Sequence, residues 1–505
     1  MPIEYQNIDW PPAGWQTVQS WYALWDAWYS GDVARLATVY STLLANPYSS
    51  KLSMYARKAH KERMTTLHVP VAGDLSRTSA TFLFSERPNV TVEGAGVITE
   101  AGNPASPDAD AAQARLMAII EASHLWSRVS EAADAASPMG GVWLKVDWDE
   151  MLADFPILSI VQADNAIPEY RHGFLVAATF WRVLSDDNST VLRLIERHEP
   201  GVIYYALYRG STDKLGRQID LSAHPATASL PPAQEGVDGE LLCRYAPNMR
   251  PNRLTRGTQQ GMSADCHHIG QSDYSGSETL FESLDEVYTA WMRDIRICGG
   301  RIMAPAEWLK VGTDGKREFD FDQEVFVALE TMPSLEGKSG ITTAQFEIRS
   351  EQFAATANNL YRQIVTNAGY SPQTFGLDIQ GQAESGTALT IREAKSFKTS
   401  ATKANFWKPV LQDILYLIQR VDVEKLGGRY KPLPVSVEMQ DGIKTSLQDI
   451  APSLEQLSRA GAASTYILVK SWHPDWSEDA VQAEVKRIQD EKGLGAFDPM
   501  QIGLD

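Results

Sequence analysis

Along three stretches in the second half of the chain, apolar residues recur at steps of three and four. Between Ser277 and Cys298 they fall at Leu280, Leu284, Val287, Trp291, Ile295 and Cys298. Between Arg349 and Ala368 they fall at Phe353, Ala357, Leu360 and Ile364. Between Thr387 and Val421 they fall at Phe397, Ala401, Ala404, Trp407, Leu411, Ile414, Ile418 and Val421. Each set lies on one face of a helix, so three long amphipathic helices are predicted. Arg301 to Glu347 separates the first two; it carries Pro305, the turn signal Asp314-Gly315 and a strand pattern at Glu324 to Leu329. Tyr370 to Glu384 separates the last two, where Gly369, Gly376, Gly381 and Pro372 forbid a regular helix.

The first half mixes both periods. Trp15, Trp21, Trp25 and Trp28, with Val18, Tyr22 and Tyr29, mark an amphipathic helix whose aromatics read as core. Leu67 to Val92 reads as loop, helix and strand, and Ala95 to Ala112 as a surface loop of small, acidic and turn-forming residues. A helix is predicted from Gln113 to Ala136, ended by Ser137-Pro138 and Gly140-Gly141. Strand patterns follow at Val142 to Asp147, Ile157 to Gln162, Phe174 to Leu184, Val191 to His198 and Gly201 to Tyr208, and predict a mixed sheet facing the helices. Asp220 to Gly239 reads as a loop or mobile hairpin tip. Near the end, Pro434 to Met439 reads as a strand returning to the sheet, and Thr445 to Asp490 as helical with breaks at Gly461 and His473-Pro474.

Five hundred and five residues exceed what one core usually serves, so two to four units are expected. The net charge of −18 argues against a nucleic-acid binder basic over its whole surface. It does not exclude a protein through which DNA slides without sticking. Cys243, Cys266 and Cys298 are irregularly spaced and read as reduced thiols. No apolar run approaches the roughly 18 residues of a membrane span, and the first ten residues predict no secretory signal.

Candidate chemistry is thin. Gly337-Lys338-Ser339 lacks the earlier glycine of a phosphate-binding loop, the position being Met332. Gly94-Ala-Gly96 has Thr99 where a dinucleotide loop needs its third glycine. Gly270-Gln-Ser272 has Tyr274 where a nucleophile elbow closes on glycine. The carboxylates of Asp147-Trp-Asp-Glu150 offer oxygen ligands for a divalent ion, or simply a solvated strand end. Cys266-His267-His268 with Cys243 supplies zinc-type ligands at a spacing that fits no common site. No catalytic set and no cofactor are expected. Arg392, Lys395, Lys398, Lys403 and Lys408 make the third helix locally basic, which fits a solvated face or contact with phosphate or an acidic neighbour.

Three passages resemble the portal (head–tail connector) proteins of tailed bacteriophages, of the siphophage type. They are GQSDYSGSETLFESLDEVYTAWMRDIR (Gly270 to Arg296), QFEIRSEQFAATANNLYRQIVTNAGYSPQTFGL (Gln345 to Leu377) and ESGTALTIREAKSFKTSATKANFWKPVL (Glu384 to Leu411). Further likeness lies in ALWDAWYSGDVARLATVY, in Leu67 to Val92 and in CRYAPNMRPNRL (Cys243 to Leu254).

That resemblance spans roughly Trp15 to Glu491 and implies an α+β, mainly helical portal fold. Its parts are a wing with a mixed sheet (1–270), stem helices at 271–300 and 348–369, and a small α/β clip (301–347) between them. A tunnel loop (370–384), a long wing helix with a return strand (385–440) and a crown (441–505) follow. The implied assembly is a ring of twelve copies at one capsid vertex, in the virion and in the host cytoplasm during assembly. Implied partners are double-stranded DNA passing without sequence specificity, the terminase large subunit, the major capsid and scaffolding proteins and a head–tail adaptor, with no membrane.

By the same resemblance Gln373, Phe375, Leu377, Asp378, Ile379, Gln380, Gln382 and Glu384 line the channel. Arg392, Lys395, Lys398 and Lys403 contact DNA or a neighbouring subunit, and Lys316, Arg317 and Glu318 of the clip dock the terminase. Two rival readings are a metal-dependent nucleic-acid enzyme built on the Asp147 to Glu150 carboxylates, and another capsid or tail structural protein.

Overall fold

The computed structural model describes residues 7–45, 66–96, 106–255 (188 excepted), 262–297, 301–303, 310–311, 317–318, 342–344, 348–377, 386–439 and 454–491 (474, 475 and 477 excepted). The chain opens with α1 (Gln16–Ser30) and α2 (Val33–Ala45), then α3 (Val71–Phe84) and the short strand β1 (Asn89–Val92). Along α1 the aromatic spacing closes a core, with Val18, Tyr22, Trp25 and Trp28 all buried.

The single helix predicted over Gln113 to Ala136 is two helices, α4 (Pro107–Ala122) and α5 (Leu125–Met139). Ser106 caps α4 with Pro107 at its first position, so the helix begins inside the stretch expected to be loop. Between the two helices His124 adopts a left-handed conformation, φ 50°, which ends the first and starts the second. At the end of α5 the backbones of Gly140 and Gly270 meet so closely that a Cβ on Gly270 would stand 1.9 Å from the Gly140 carbonyl oxygen. Only glycine fits both places.

The strands from Gly141 to Pro247 form two antiparallel sheets rather than one mixed sheet. β2 (Gly141–Asp147) lies between β3 (Ile157–Gln162) and β10 (Cys243–Pro247). A six-stranded sheet holds β4 (Ala166–Arg171), β5 (Phe174–Asp186), β6 (Val191–Glu199), β7 (Val202–Gly210) and β8 (Arg217–Ile219), with β9 (Ala233–Glu235) also on β7. The reason is connection length: consecutive strands are joined by tight turns such as His172-Gly173, which antiparallel neighbours allow and parallel ones do not. β9 also removes part of Asp220 to Gly239 from the loop expected there.

The three long helices are α6 (Glu278–Ile297), α7 (Ser350–Asn367) and α8 (Gly386–Lys425). At the start of α6, Glu278 accepts from the Gly276 N–H (2.8 Å) and from Trp25 Nε1 (2.9 Å). In the insertion, β11 (Arg301–Met303) pairs with β14 (Thr342–Ala344), drawing its two ends together beside α6 and α7. β12 (Lys310–Val311) pairs with β13 (Arg317–Glu318). The strand expected at Glu324 to Leu329 lies outside the described residues. β15 (Val435–Glu438) is the expected return strand, but its partner is β1, not a wing sheet. The chain ends in α9 (Thr465–Trp472) and α10 (Glu478–Glu491), broken near Gly461 and His473 as predicted.

Two large apolar cores organise the described residues, with a smaller third of Trp10, Ile195, Ala206, Tyr208 and Leu215 against the six-stranded sheet. One gathers α1, α2, α3, α6 and α7 around Trp25, Trp28, Leu75, Phe281 and Ile364. The other gathers α4, α5, β2 and α8 around Leu116, Val129, Leu144, Trp407 and Ile418.

Candidate functional site

The candidate site is the corner where α7 ends, the chain turns, and α8 begins. Gly369 leaves α7 with φ 95°, and a Cβ there would stand 2.8 Å from Thr399 Oγ1. That approach lets Thr399 Oγ1 donate to the Gly369 carbonyl (2.6 Å), while Lys395 Nζ donates to that of Thr366 (2.7 Å). Both satisfy carbonyls at the C-terminal end of α7, and the lysine also complements the helix dipole there. Ser396 Oγ takes the Ser371 N–H (2.8 Å) and bonds Thr374 Oγ1 (2.8 Å). Pro372–Phe375 form one 3₁₀ turn, closed by Gly376 at φ 73°. Phe375 sits between the rings of Tyr361 and Tyr370, 6.2 Å from each.

Behind this turn lies a buried polar knot. Lys403 is completely closed to solvent; its Nζ contacts Asp273 Oδ2 at 2.5 Å and Ser79 Oγ at 2.7 Å, and it lies over the ring of Tyr370. Asp273, just ahead of α6, also accepts from Ser137 Oγ (2.7 Å) and Asn248 Nδ2 (2.9 Å). Burial alone would lower the Lys403 pKa, but the charge of Asp273 and the contact with Tyr370 outweigh it and hold it above the ordinary lysine value. One side chain of α8 thereby ties together α3, α5, the lead-in to α6 and the turn after α7.

A second clamp sits on α6. Asp285, buried, accepts from the Val69 N–H (2.8 Å) and from His68 Nδ1 (2.9 Å), and Thr289 Oγ1 accepts from the Leu67 N–H (3.1 Å). The segment before α3 is thus fixed along the helix.

The residues picked out in the sequence divide accordingly. Gln373, Phe375 and Leu377 belong to the anchored turn and are half-buried, so Tyr370 to Leu377 is a folded foot rather than open loop. Asp378, Ile379, Gln380, Gln382 and Glu384 lie outside the described residues. Arg392 lies on α8; Lys395, Lys398 and Lys408 are exposed there.

Lys403 is corrected: it is buried in its own chain and paired with Asp273, so it is not free to meet DNA or a neighbour. The apolar spacing misplaced the buried face because the interior at this point is polar. Ser396, Lys403, Trp407, Leu411 and Ile414 follow one another at steps of seven, four, four and three and are all buried, a register visible in the sequence once a lysine is allowed to face inward. Asp273 and Asp285 carry no such signal, since their partners are remote in the chain.

In the insertion, Arg317 and Glu318 lie on β13 opposite Val311 and Lys310; Lys316 lies outside the described residues. Asp147 is paired with Lys145 (3.3 Å), which also meets Glu196 (2.7 Å). Cys243 and Cys266 are buried, and the ring of His268 stacks on Tyr170 at 4.1 Å. Among the described residues no group of three His, Cys, Asp or Glu is placed to hold a metal ion, and no helix is long and apolar enough to cross a membrane.

Two adjacent helices joined by an insertion, a turn pinned to a third, longer helix and two antiparallel sheets thus make up the frame. The family model described as phage portal protein, SPP1 Gp6-like, matches residues 20–493. The chain belongs to this phage portal protein family. Among solved structures, this portal chain is similar to a chain from the virion of a native gene transfer agent particle, at 12% identity and a TM-score of 0.36. That likeness covers 83% of this chain and 90% of the other. The comparison with curated proteins finds no match. Portal proteins are structural rather than enzymatic, and membership implies an oligomeric ring associated with the virion capsid.

Proposed function

We propose that twelve copies of this chain form the ring at one vertex of the capsid, the conduit for double-stranded DNA during packaging and ejection. In this reading α6 and α7 are the stem, and residues 301–347 are the clip, which docks the terminase before the head–tail adaptor binds. The wing runs to residue 270 and resumes at 385–440, and the crown is 441–505. The observation that carries the reading is the family match over nearly the whole chain, 20–493, on a fold in which an insertion with paired ends joins two adjacent helices.

Function here is geometry and electrostatics. With Tyr370 to Leu377 as foot, the part of the loop left to reach the bore is 378–384. Its side chains, Asp378, Ile379, Gln380, Gln382 and Glu384, include no cation. A wall of lysines would pair with successive phosphates, and each pair would have to break as DNA advanced; a neutral or acidic wall avoids that drag. Lys395 and Lys398, exposed on α8, remain candidates for contact with DNA or a neighbouring subunit.

Electron microscopy of the purified protein tests the reading: rings with a central hole about wide enough for a duplex are expected. Copies found at many vertices or along the tail of the particle would overturn it in favour of another capsid or tail protein. Metal-dependent cleavage of plasmid DNA would overturn it in favour of an enzyme.

A further inference from the structure

Among the described residues, the three most exposed large apolar side chains are Met151 (99% exposed), Phe174 (77%) and Leu152 (74%). They lie on two loops of opposite charge. Met151 and Leu152 belong to the β2–β3 loop, Trp148 to Pro156, which carries Asp149, Glu150 and Asp154 beside Asp147 at the end of β2, and no lysine or arginine. Phe174 follows the β4–β5 turn, where Arg171, His172 and Gly173 are also exposed and no acid is present.

Neither loop is slack. The acidic loop is folded on itself: Asp149 takes the Met151 N–H on its side chain (3.0 Å) and the Leu152 and Ala153 N–H groups on its carbonyl (3.0 Å each), and Arg115 holds the Asp154 carbonyl (2.8 Å). The basic turn has His172 and Gly173 at φ 52° and 84°, a tight hairpin geometry, and Tyr170 beneath it stacks on His268. Met151 and Leu152 stand side by side on one ordered loop and Phe174 stands on the other, an apolar pair and an apolar knob set among charges of opposite sign.

The two loops cannot meet within one chain. The acidic loop leaves the Asp147 end of β2. The hairpin stands near the other end, where Tyr170 shares a pocket with Trp143 and Tyr245. Arg182 of β5 shares a cleft with Asp147 and Asp149, and Phe174 lies eight strand steps from it along β5, about 26 Å.

We infer that the acidic β2–β3 loop of one subunit seats the basic β4–β5 turn of the next, with Phe174 between Met151 and Leu152 and Arg171 facing Asp149 and Glu150. Two different patches joined head to tail make a heterologous contact, the kind that closes into a ring when its rotation divides the circle. The inference rests on the ring reading above and adds to it the surface by which neighbours recognise one another.

The test places Leu152→Cys and Phe174→Cys in one full-length chain, oxidises it and resolves it on a non-reducing gel. The two positions are too far apart for a bond within a chain, since a disulfide needs Cα atoms under about 7 Å apart. A ladder of covalent multimers is expected from the double variant and not from either single one. Rings in native mass spectrometry without a ladder overturn this contact and leave the ring reading standing, as does a single-site dimer from Phe174→Cys alone. A wild-type chain monomeric at every concentration overturns both. In a second arm, Arg171→Glu should raise the concentration needed for ring assembly at least about tenfold, and adding Glu150→Lys, which leaves the Asp149 turn intact, should restore it. Assembly of Arg171→Glu indistinguishable from wild type, with its fold intact by circular dichroism, overturns the charge pairing.

Discussion

Lys403 Nζ lies 2.5 Å from Asp273 Oδ2, and both side chains are buried, although 130 residues separate them in sequence. Removing one member of a buried pair leaves the other charge desolvated, at a cost of roughly 3–5 kcal/mol. Lys403→Ala should therefore lower stability by about that amount in urea unfolding, while Lys398→Ala on the exposed face changes it little. Asp273→Leu in the Lys403→Met background should not restore wild-type stability, because Ser137 and Asn248 would lose their acceptor as well. As the folded pKa of Lys403 is raised, its contribution is complete below the unfolded value of about 10.4 and is lost as pH rises through the folded one. Near neutral pH the contribution of Lys403 is therefore complete.

Glu196 works at the other end of the scale. It is half-buried on β6, accepting from Lys145 Nζ (2.7 Å) and meeting His198 Nε2 (2.6 Å). Burial pushes its pKa up, but Lys145 and His198 outweigh that and bring it down to about 2. A depressed carboxylate contributes stability above its unfolded pKa, about 4.3, which is lost as pH falls through the folded value. Acid unfolding followed by fluorescence should thus show stability declining below about pH 5, with a shallower decline in Glu196→Gln. An identical acid slope in that variant would rule the assignment out.

The elements that depend on local spacing were legible in the sequence. α6, α7 and α8 begin and end within a few residues of their apolar patterns, and the α1 aromatics are core. Elements decided by distant partners were not. β4, with Pro168 and Glu169 breaking any alternation, is a strand because β5 pairs with it. Lys403 reads as one of a row of surface cations until Asp273 is brought beneath it. The turn at Tyr370 reads as loop because glycine and proline dominate it, whereas Ser396 and Thr399, a helix away, hold it in place.

The clip gives a third prediction. Arg317 and Glu318 lie on a hairpin strand of the insertion, next to Lys316 and the Asp314-Gly315 turn signal. If this face docks the terminase, Lys316→Glu with Arg317→Glu should leave rings intact by native mass spectrometry and reduce terminase pull-down at least about tenfold, as lost charge contacts of roughly 1.4 kcal/mol or more would. Normal recruitment would move the docking surface elsewhere; lost rings would make the hairpin structural.

If residues 378–384 line the channel as proposed, the last prediction separates their effect from that of the anchored turn before them. Phe375 is wedged between Tyr361 and Tyr370, and Thr374 is bonded to Ser396. Changing these residues should act on folding: Phe375→Ala should lower the unfolding midpoint and loosen amide exchange at Ser371, whose N–H rests on Ser396. Changing Asp378, Gln380 and Gln382 should act instead on DNA. Lysine at all three would bring about 36 cations to the bore of a twelve-fold ring, enough to bind successive phosphates strongly and with a steep dependence on salt. Rings and empty capsids should form normally, packaged DNA should shorten, and the defect should ease as salt is raised, since released counterions then favour binding less. Replacing the same three residues with serine should leave packaging near wild type, because it adds no charge. Full-length packaging by the lysine variant, measured as the size of the encapsidated DNA, would show that 378–382 does not line the bore.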